Sequence, residues 1–296
     1  IQSMRSGTIV QPGERLGCVG CHEHRRSAPP AVLAKMPDAL GRAPSRLDGW
    51  LGPRRRFNYR TEVQPVFDAH CVRCHDYGKE AGRTLNLSGD RTLTFNTSYN
   101  ELWRKGYTGA VGAGPAPVQP ARAWGSHASK LVKQLRTGHG GLDPAGAAFR
   151  RIVTWIDLNA PYYPVYASAY PEHLAGRAPL TPAALARLTE LTGVPFEKLA
   201  THHSNQGPQV NFDRPALSPC LAGLAGKRPE AHAEALAIIR EGANTLQHTP
   251  RADDPRFDLA GDDAVRQRKY VALEREQARA RAALAAGRKH YANGTR

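Results

Sequence analysis

Two short stretches carry the chemistry that is legible in the residues themselves: Cys18-Val19-Gly20-Cys21-His22 and Cys71-Val72-Arg73-Cys74-His75. Both read C-x-x-C-H, the attachment signature of a c-type haem. The spacing follows from the reaction. Thiols three positions apart lie on one turn of chain, where each adds to a vinyl group of the ring, and the histidine that follows is carried beneath the ring to give a nitrogen to the iron. The sequence therefore predicts two haem c groups. Cys18 and Cys21 would hold haem 1 covalently with His22 as its axial ligand, and Cys71 and Cys74 would hold haem 2 with His75 as its axial ligand. Paired C-x-x-C also builds zinc ribbons, which makes zinc the competing metal. A ribbon does not require a histidine after the second cysteine of both pairs, and nothing else in the sequence supports zinc. Redox disulfides are disfavoured because no βαβ thioredoxin pattern surrounds either pair. The fifth cysteine, Cys220, reads as a small buried apolar residue, with a reactive thiol as the minor alternative.

An electron-transfer haem needs a sixth ligand, usually His or Met, whereas a catalytic haem leaves that position open or weakly held. Met4 and Met36 both lie upstream of the second motif, which favours His/His ligation for haem 2. His139, in Gly138-His139-Gly140-Gly141, is the first choice, since glycine freedom after a helix end lets an imidazole reach the iron. His127 is the runner-up, although its place at a helix start beside Ser126 also suits capping or a surface role. His202 and His203 are runners-up that could serve haem 1. His70 should point away from the ring, and His24 is too close to His22 to reach the opposite face.

The elements that must position these groups come from a loop-rich chain. Its 296 residues are 41% apolar, with 23 Pro, 28 Gly and a mean hydropathy of -0.51. That length can bury real cores, and the glycine and proline content argues for short helices that gain cohesion by packing against a large apolar ring. The expected fold class is mainly α, with cytochrome c-like haem domains whose short helices pack around two haems. Residues 1–56 would carry haem 1 as the end of a middle domain. Residues 57–170 would form a cytochrome c-like domain carrying haem 2, and residues 171–296 a helical C-terminal extension.

Haem 2 has a marked helix leading into it. Thr61 and Gln64 fit a capping box, Val63, Val66, Phe67 and Cys71 fall at helical spacing, and Pro65 is inside the first turn. The first motif has no such helix and lies between Pro- and Gly-containing segments. Ser126 to Thr137 reads as a helix ended by Gly138, and Phe149, Ile152, Val153 and Ile156 form a stripe whose apolar side is expected to lie on haem 2. Further helices are predicted from Thr181-Pro182 to Thr192, from Pro229 onward, and over 262–290, where Asp262 and Arg266 sit at i, i+4.

Several stretches together resemble the middle and C-terminal haem domains of the hydrazine synthase alpha subunit and its planctomycete-type multihaem cytochrome relatives. They are Pro12-Gly13-Glu14 through Cys18 to Glu23, Val63-Gln64-Pro65-Val66-Phe67 through His75, Gly125 to Leu131 with Gly138-His139, Trp155 to Tyr163, and Asn211-Phe212-Asp213-Arg214-Pro215. The resemblance implies a β-propeller ahead of the haem domains and a bis-histidine C-terminal haem that passes electrons, here through His75 and His139. It implies a catalytic second haem whose iron is held by a tyrosine four residues past the motif histidine, while that histidine binds zinc. Arg26 occupies that position here, so His22 most simply binds iron and hydrazine synthesis does not follow.

The charge balance, 41 Lys+Arg against 26 Asp+Glu, gives +15 and points to acidic partners. Arg54-Arg55-Arg56 is the one basic triplet and no aromatic-basic repeat accompanies it, so nucleic acid is not expected. No apolar run approaches a membrane span, which leaves membrane association to partners. Ile1 with no preceding signal peptide suggests a processed form or a piece of a longer polypeptide. The function expected is a dihaem c-type cytochrome that transfers electrons in a periplasmic or otherwise extracytoplasmic complex of redox proteins. The alternatives are a catalytic haem 1 acting on a small nitrogen or oxygen species, and a haem-pinned structural subunit of a membrane-associated complex.

Overall fold

The computed structural model describes residues 12–13, 51–52, 55–110, 120–196 and 207–286. The chain divides into two compact units, Ile1–Gly49 and Trp50–Arg296, and all that follows belongs to the second. Among the described residues it is built of helices, single 3-10 turns and loops, without a β-strand; one antiparallel bridge joins Arg91 and Asn96. Mainly helical and loop-rich is therefore the observed class.

The helical entry to the second motif is split in two. Helix α1 (Tyr59–Glu62) is capped by Asn58, whose side chain accepts the Arg60 N–H at 3.0 Å, and α2 (Gln64–His70) begins after Val63. The capping box expected at Thr61 and Gln64 does not form. The physical reason is Pro65: with no N–H to give, it belongs in a first turn, so the helix restarts just ahead of it and leaves Thr61 inside α1. Helices α3 (Glu80–Thr84) and α4 (Thr97–Arg104) follow, the latter capped by Asn96. The predicted helix from Ser126 is shorter than expected. Gly125–His127 forms a 3-10 turn, and α5 (Lys130–Arg136) starts after Ser129, whose hydroxyl donates to the Tyr107 carbonyl at 2.6 Å.

Helix α6 (Ala147–Asp157) buries Phe149, Ile152, Trp155 and Ile156. This face lies in a side-chain core. Tyr59, Val63, Phe67, Leu102, Val132, Leu135 and Tyr162 complete that core, with the Tyr59 ring 5.0 Å from that of Trp155. A second core gathers Leu185, Leu188 and Leu191 of α7 (Pro182–Thr192) with Ala235 and Ile239 of α8 (Pro229–His248), Phe196, Phe212 and Cys220. Thr181 caps α7 by accepting the Ala184 N–H, and Gly193 ends it at φ +76°, a backbone region that a residue with a Cβ disfavours. Cys220 is buried, as its sequence context suggests, and burial pushes its thiol up to about 12. The last helix, α9 (Gly261–Ala285), is charged and largely exposed; its Arg266 pairs with Asp263, not with the expected Asp262.

A fully buried pair, Arg251 and Asp253, joins the segments between the cores. Arg251 donates to the Thr92 carbonyl at 2.8 Å, while Asp253 accepts from the Tyr162 hydroxyl at 2.9 Å and its carbonyl from Asn58 at 3.1 Å. Each charge is desolvated and only partly compensated by hydrogen bonds, since Arg251 Nε and Asp253 Oδ1 are buried without a hydrogen-bond partner.

Buried Glu62 accepts from Arg55 at 2.7 Å and also from Arg151 of α6, tying α1 to the core helix. The Arg55 hydrogen bond, opposed in part by burial, lowers the Glu62 pKa from its ordinary 4.5. A carboxylate so shifted stabilises the fold above about 4.5, and the contribution is lost as pH falls through the lowered folded value. We predict that Glu62→Gln costs about 1–3 kcal/mol in urea unfolding at pH 7. The difference between variant and wild type should vanish once Glu62 is protonated, and an equal gap at pH 7 and under strongly acidic conditions would refute the ion-pair account.

Candidate functional site

The C-x-x-C-H turn at Cys71 is set directly on the end of α2. The Cys71 N–H donates to Phe67 at 2.8 Å, and the N–H groups of both Cys74 and His75 donate to the Cys71 carbonyl, at 3.0 and 2.9 Å. The two cysteines and the histidine therefore share one turn, as attachment chemistry requires. Cys71 packs at the margin of the first core and Cys74 is exposed; both are free thiols. Burial, with Cys74 alongside, pushes the Cys71 thiol up to about 11.

His75 is held at three points. Besides its amide, its carbonyl accepts the Leu87 N–H at 2.9 Å, and its ring Nδ1 lies 2.8 Å from the Leu85 carbonyl. A carbonyl can only accept, so Nδ1 carries the proton and Nε2 is left with its lone pair for a metal. Outer partners of this kind fix the ring orientation of ligating histidines.

The ring that faces His75 is His139. The two centroids are 5.9 Å apart with planes at 67°. With about 2 Å from an imidazole nitrogen to a first-row metal and about 1 Å from nitrogen to ring centre, two histidines on opposite sides of one iron stand about 6 Å apart by centroid. The donor set and its spacing fit a bis-histidine iron. His139 reaches this place from a backbone that only glycine adopts readily: Gly138, Gly140 and Gly141 lie at φ +83°, +75° and +66°. At Gly140 a Cβ would stand 3.6 Å from the His70 carbonyl, so the loop runs beside the end of α2. His127, the runner-up, lies exposed in its 3-10 turn, and His70 is exposed at the end of α2. Among the described residues no three His, Cys, Asp or Glu side chains gather as a metal-binding group. Cys18, Cys21, His22, His202 and His203 lie outside the described residues.

The family model of the hydrazine synthase alpha subunit middle domain matches residues 1–23, a segment that includes Cys18, Cys21 and His22. No curated protein and no solved structure matches the chain.

Two functional supports escaped the sequence reading. Gln64 is buried, and its Nε2 donates to the Leu87 carbonyl at 3.0 Å and to Asp68 at 2.8 Å. Its Oε1 accepts from Asn96 at 2.9 Å and Ser98 at 2.6 Å, and Ser98 in turn meets the Tyr59 hydroxyl at 2.8 Å. A chain of polar contacts thus runs from the core to the strand-like segment that holds His75. The available signal was a polar residue lodged among Val63, Val66 and Phe67, which is where a buried side chain must be hydrogen-bonded. Arg214 is the other support; it binds Asp76, the residue after His75, from the C-terminal part of the chain. Nothing in its local spacing marks a contact 138 positions away.

Gln64→Ala should strand Asn96 and the Leu87 carbonyl and cost about 1–3 kcal/mol. Hydrogen exchange at the Leu87 amide, whose partner is the His75 carbonyl, should accelerate more than exchange in α7. Uniform acceleration across both would mean that Gln64 supports the fold without selectively supporting His75.

Proposed function

We propose that the chain is a c-type cytochrome with haems attached at Cys18/Cys21 and Cys71/Cys74, transferring electrons within an extracytoplasmic redox complex. His22 is an axial ligand of haem 1, and His75 and His139 ligate haem 2, around which cytochrome c-like helices pack. The observation that carries this reading is the facing of His75 and His139 at 5.9 Å directly beside a C-x-x-C-H turn. An edge contact between two imidazoles is worth about 1 kcal/mol. That is too little to explain a ring held at three points on one side and a three-glycine loop on the other.

A haem bound between these residues supplies a one-electron Fe(III)/Fe(II) couple. The residues do the rest. Cys71 and Cys74 would hold the ring covalently, the Leu85 carbonyl at Nδ1 would leave Nε2 of His75 free to bind the iron, and His139 would supply a second nitrogen. His139 is exposed and His75 half-buried, so the site opens to the surface where a partner can approach. A groove of about 550 Å³ lined by Thr84, Lys105, Tyr107, Lys130, Lys133, Gln134 and Thr137 lies beside this region, since Thr84 adjoins Leu85 and Thr137 precedes Gly138. Its lysines, with the overall +15 charge, suit a partner with an acidic docking face. Among the described residues no helix is long and apolar enough to cross a membrane.

Pyridine haemochrome should give two haems per chain, and Cys71→Ser with Cys74→Ser should leave one. Electron paramagnetic resonance of the wild type should contain a low-spin ferric signal that His139→Ala converts to high spin. Retention of that low-spin signal in His139→Ala removes His139 from the iron, and absence of covalent haem removes the whole assignment.

The family match over residues 1–23 favours one further reading for haem 1, a centre with an open face for a small nitrogen or oxygen species. Cyanide or nitric oxide should then alter a ferric signal that His139→Ala leaves untouched. A spectrum wholly insensitive to both ligands would leave electron transfer as its only role.

A further inference from the structure

Asp76 follows the axial histidine directly, and its carboxylate is gripped from far along the chain. Arg214 donates from Nη1 to Asp76 Oδ2 at 2.9 Å and from Nη2 to Oδ1 at 2.5 Å, the bidentate geometry that makes guanidinium–carboxylate pairs strong and directional. The same guanidinium reaches Asp90: Nε lies 3.1 and 3.0 Å from its two oxygens, and Nη2 also donates to Oδ2. Arg214 also lies over the Tyr77 ring, 5.3 Å from its centroid. One cation thus compensates two carboxylates, one of them adjacent to a proposed iron ligand.

The surroundings pre-arrange this grip. Asp90 is buried and accepts from Ser88 at 3.1 Å and from Asn211 at 2.9 Å, while Asn211 Oδ1 accepts the Arg214 N–H at 2.7 Å. One residue further, Asp213 accepts from the Arg91 N–H at 2.7 Å and its Nε at 2.9 Å, and the Phe212 N–H donates to the Arg91 carbonyl at 2.9 Å. Phe212 itself is buried in the second core. Residues 211–214 are therefore docked along the end of the very segment, 85–91, whose Leu85 and Leu87 hold His75.

We propose that Arg214 is a positioning residue for haem 2, through which the C-terminal body sets both the orientation of His75 and the net charge beside its iron. This rests on the assignment of His75 as an iron ligand. Loss of the guanidinium removes the cation that pairs with both carboxylates, leaving Asp76 with Lys79 and the Tyr77 N–H and Asp90 with Ser88 and Asn211. The added net negative charge favours the ferric state and lowers the reduction potential, because local charge and outer hydrogen bonds are levers on haem potential. It also frees the turn after His75.

The test uses the full-length holoprotein, with haem 2 identified as the low-spin signal that His139→Ala abolishes. Arg214→Ala should lower the midpoint potential of that haem and broaden its low-spin signal. Arg214→Lys, which keeps the charge but not the fork, should restore the potential more than the line width. Asp76→Asn in the Arg214→Ala background should bring the potential back toward the wild-type value. Arg187→Ala, which breaks an exposed pair with Glu234 on α7 and α8, should move neither quantity. An unshifted potential and unaltered signal in Arg214→Ala overturn the proposal. If that variant does not accumulate with haem, Arg214→Lys decides it, and wild-type potential with wild-type line shape overturns it there. A wild-type chain without covalent haem at Cys71 and Cys74 sinks the assignment beneath it as well, so the two failures are told apart.

Discussion

The constraint on which the rest of the site depends is the fixing of one imidazole. The C-x-x-C-H turn delivers His75 to the right neighbourhood, but a histidine at the end of a short turn keeps its ring rotation unless something spends it. The Leu85 carbonyl at Nδ1 does so, and it selects the tautomer with Nε2 free. Leu85 and Leu87 belong to a loop with no sheet to hold it, so its position is set by single backbone bonds, Leu85 N–H to the Ala81 carbonyl and Leu87 N–H to the His75 carbonyl, together with side chains. Gln64 holds Leu87 from the core side, and the 211–214 segment holds the loop at Asp90 and Arg91. Each such bond contributes only about 1 kcal/mol net, yet together they remove the freedom that would blur a ligand's direction.

The facing side is built on the opposite principle. His139 stands in a loop whose glycines take left-handed conformations and whose path is laid down by the end of α5 and the close passage beside His70. One ligand held hard and one presented on permissive backbone is a workable way to assemble a site around a bulky group. The rigid side defines the axis, and the glycine side can close after the ring is in place.

The residues announced a good part of this and concealed another. Local chemistry was readable: the C-x-x-C-H turn, the glycine loop presenting His139, the Thr181–Gly193 limits of α7 and the apolar stripe of α6 each depend on neighbours a few positions away. The split between α1 and α2 was also local, but two rules competed there, and the demand of Pro65 outweighed the capping pattern at Thr61. What spacing could not reveal were long-range polar contacts. Arg214 on Asp76, Gln64 on Leu87 and Arg251 on the 92–95 segment join positions that only the fold brings together, and an arginine in isolation looks like any solvated charge. Composition did not reveal how much the side chains themselves would bury: in this glycine- and proline-rich chain α6 buries Trp155 and its neighbours in a core of side chains.

That last point bears on how the parts relate. The Tyr59 ring meets both Trp155 and Tyr162 inside the first core, whereas the His75–His139 pair, half-buried and exposed, lies outside that buried cluster. A haem held there, as proposed, would be poorly insulated from solvent, and its potential would respond strongly to nearby charge. The charges nearest along the chain are Asp76 and, of opposite sign, Arg73, Lys79 and Arg136 at the end of α5. Arg214 neutralises the first from the C-terminal body, leaving the lysines of α5 to present a positive rim outward. The helical extension, which carries no chemistry of its own, thus acquires a reason to be attached: it supplies the counter-charge that separates an inward-held carboxylate from an outward-facing basic surface.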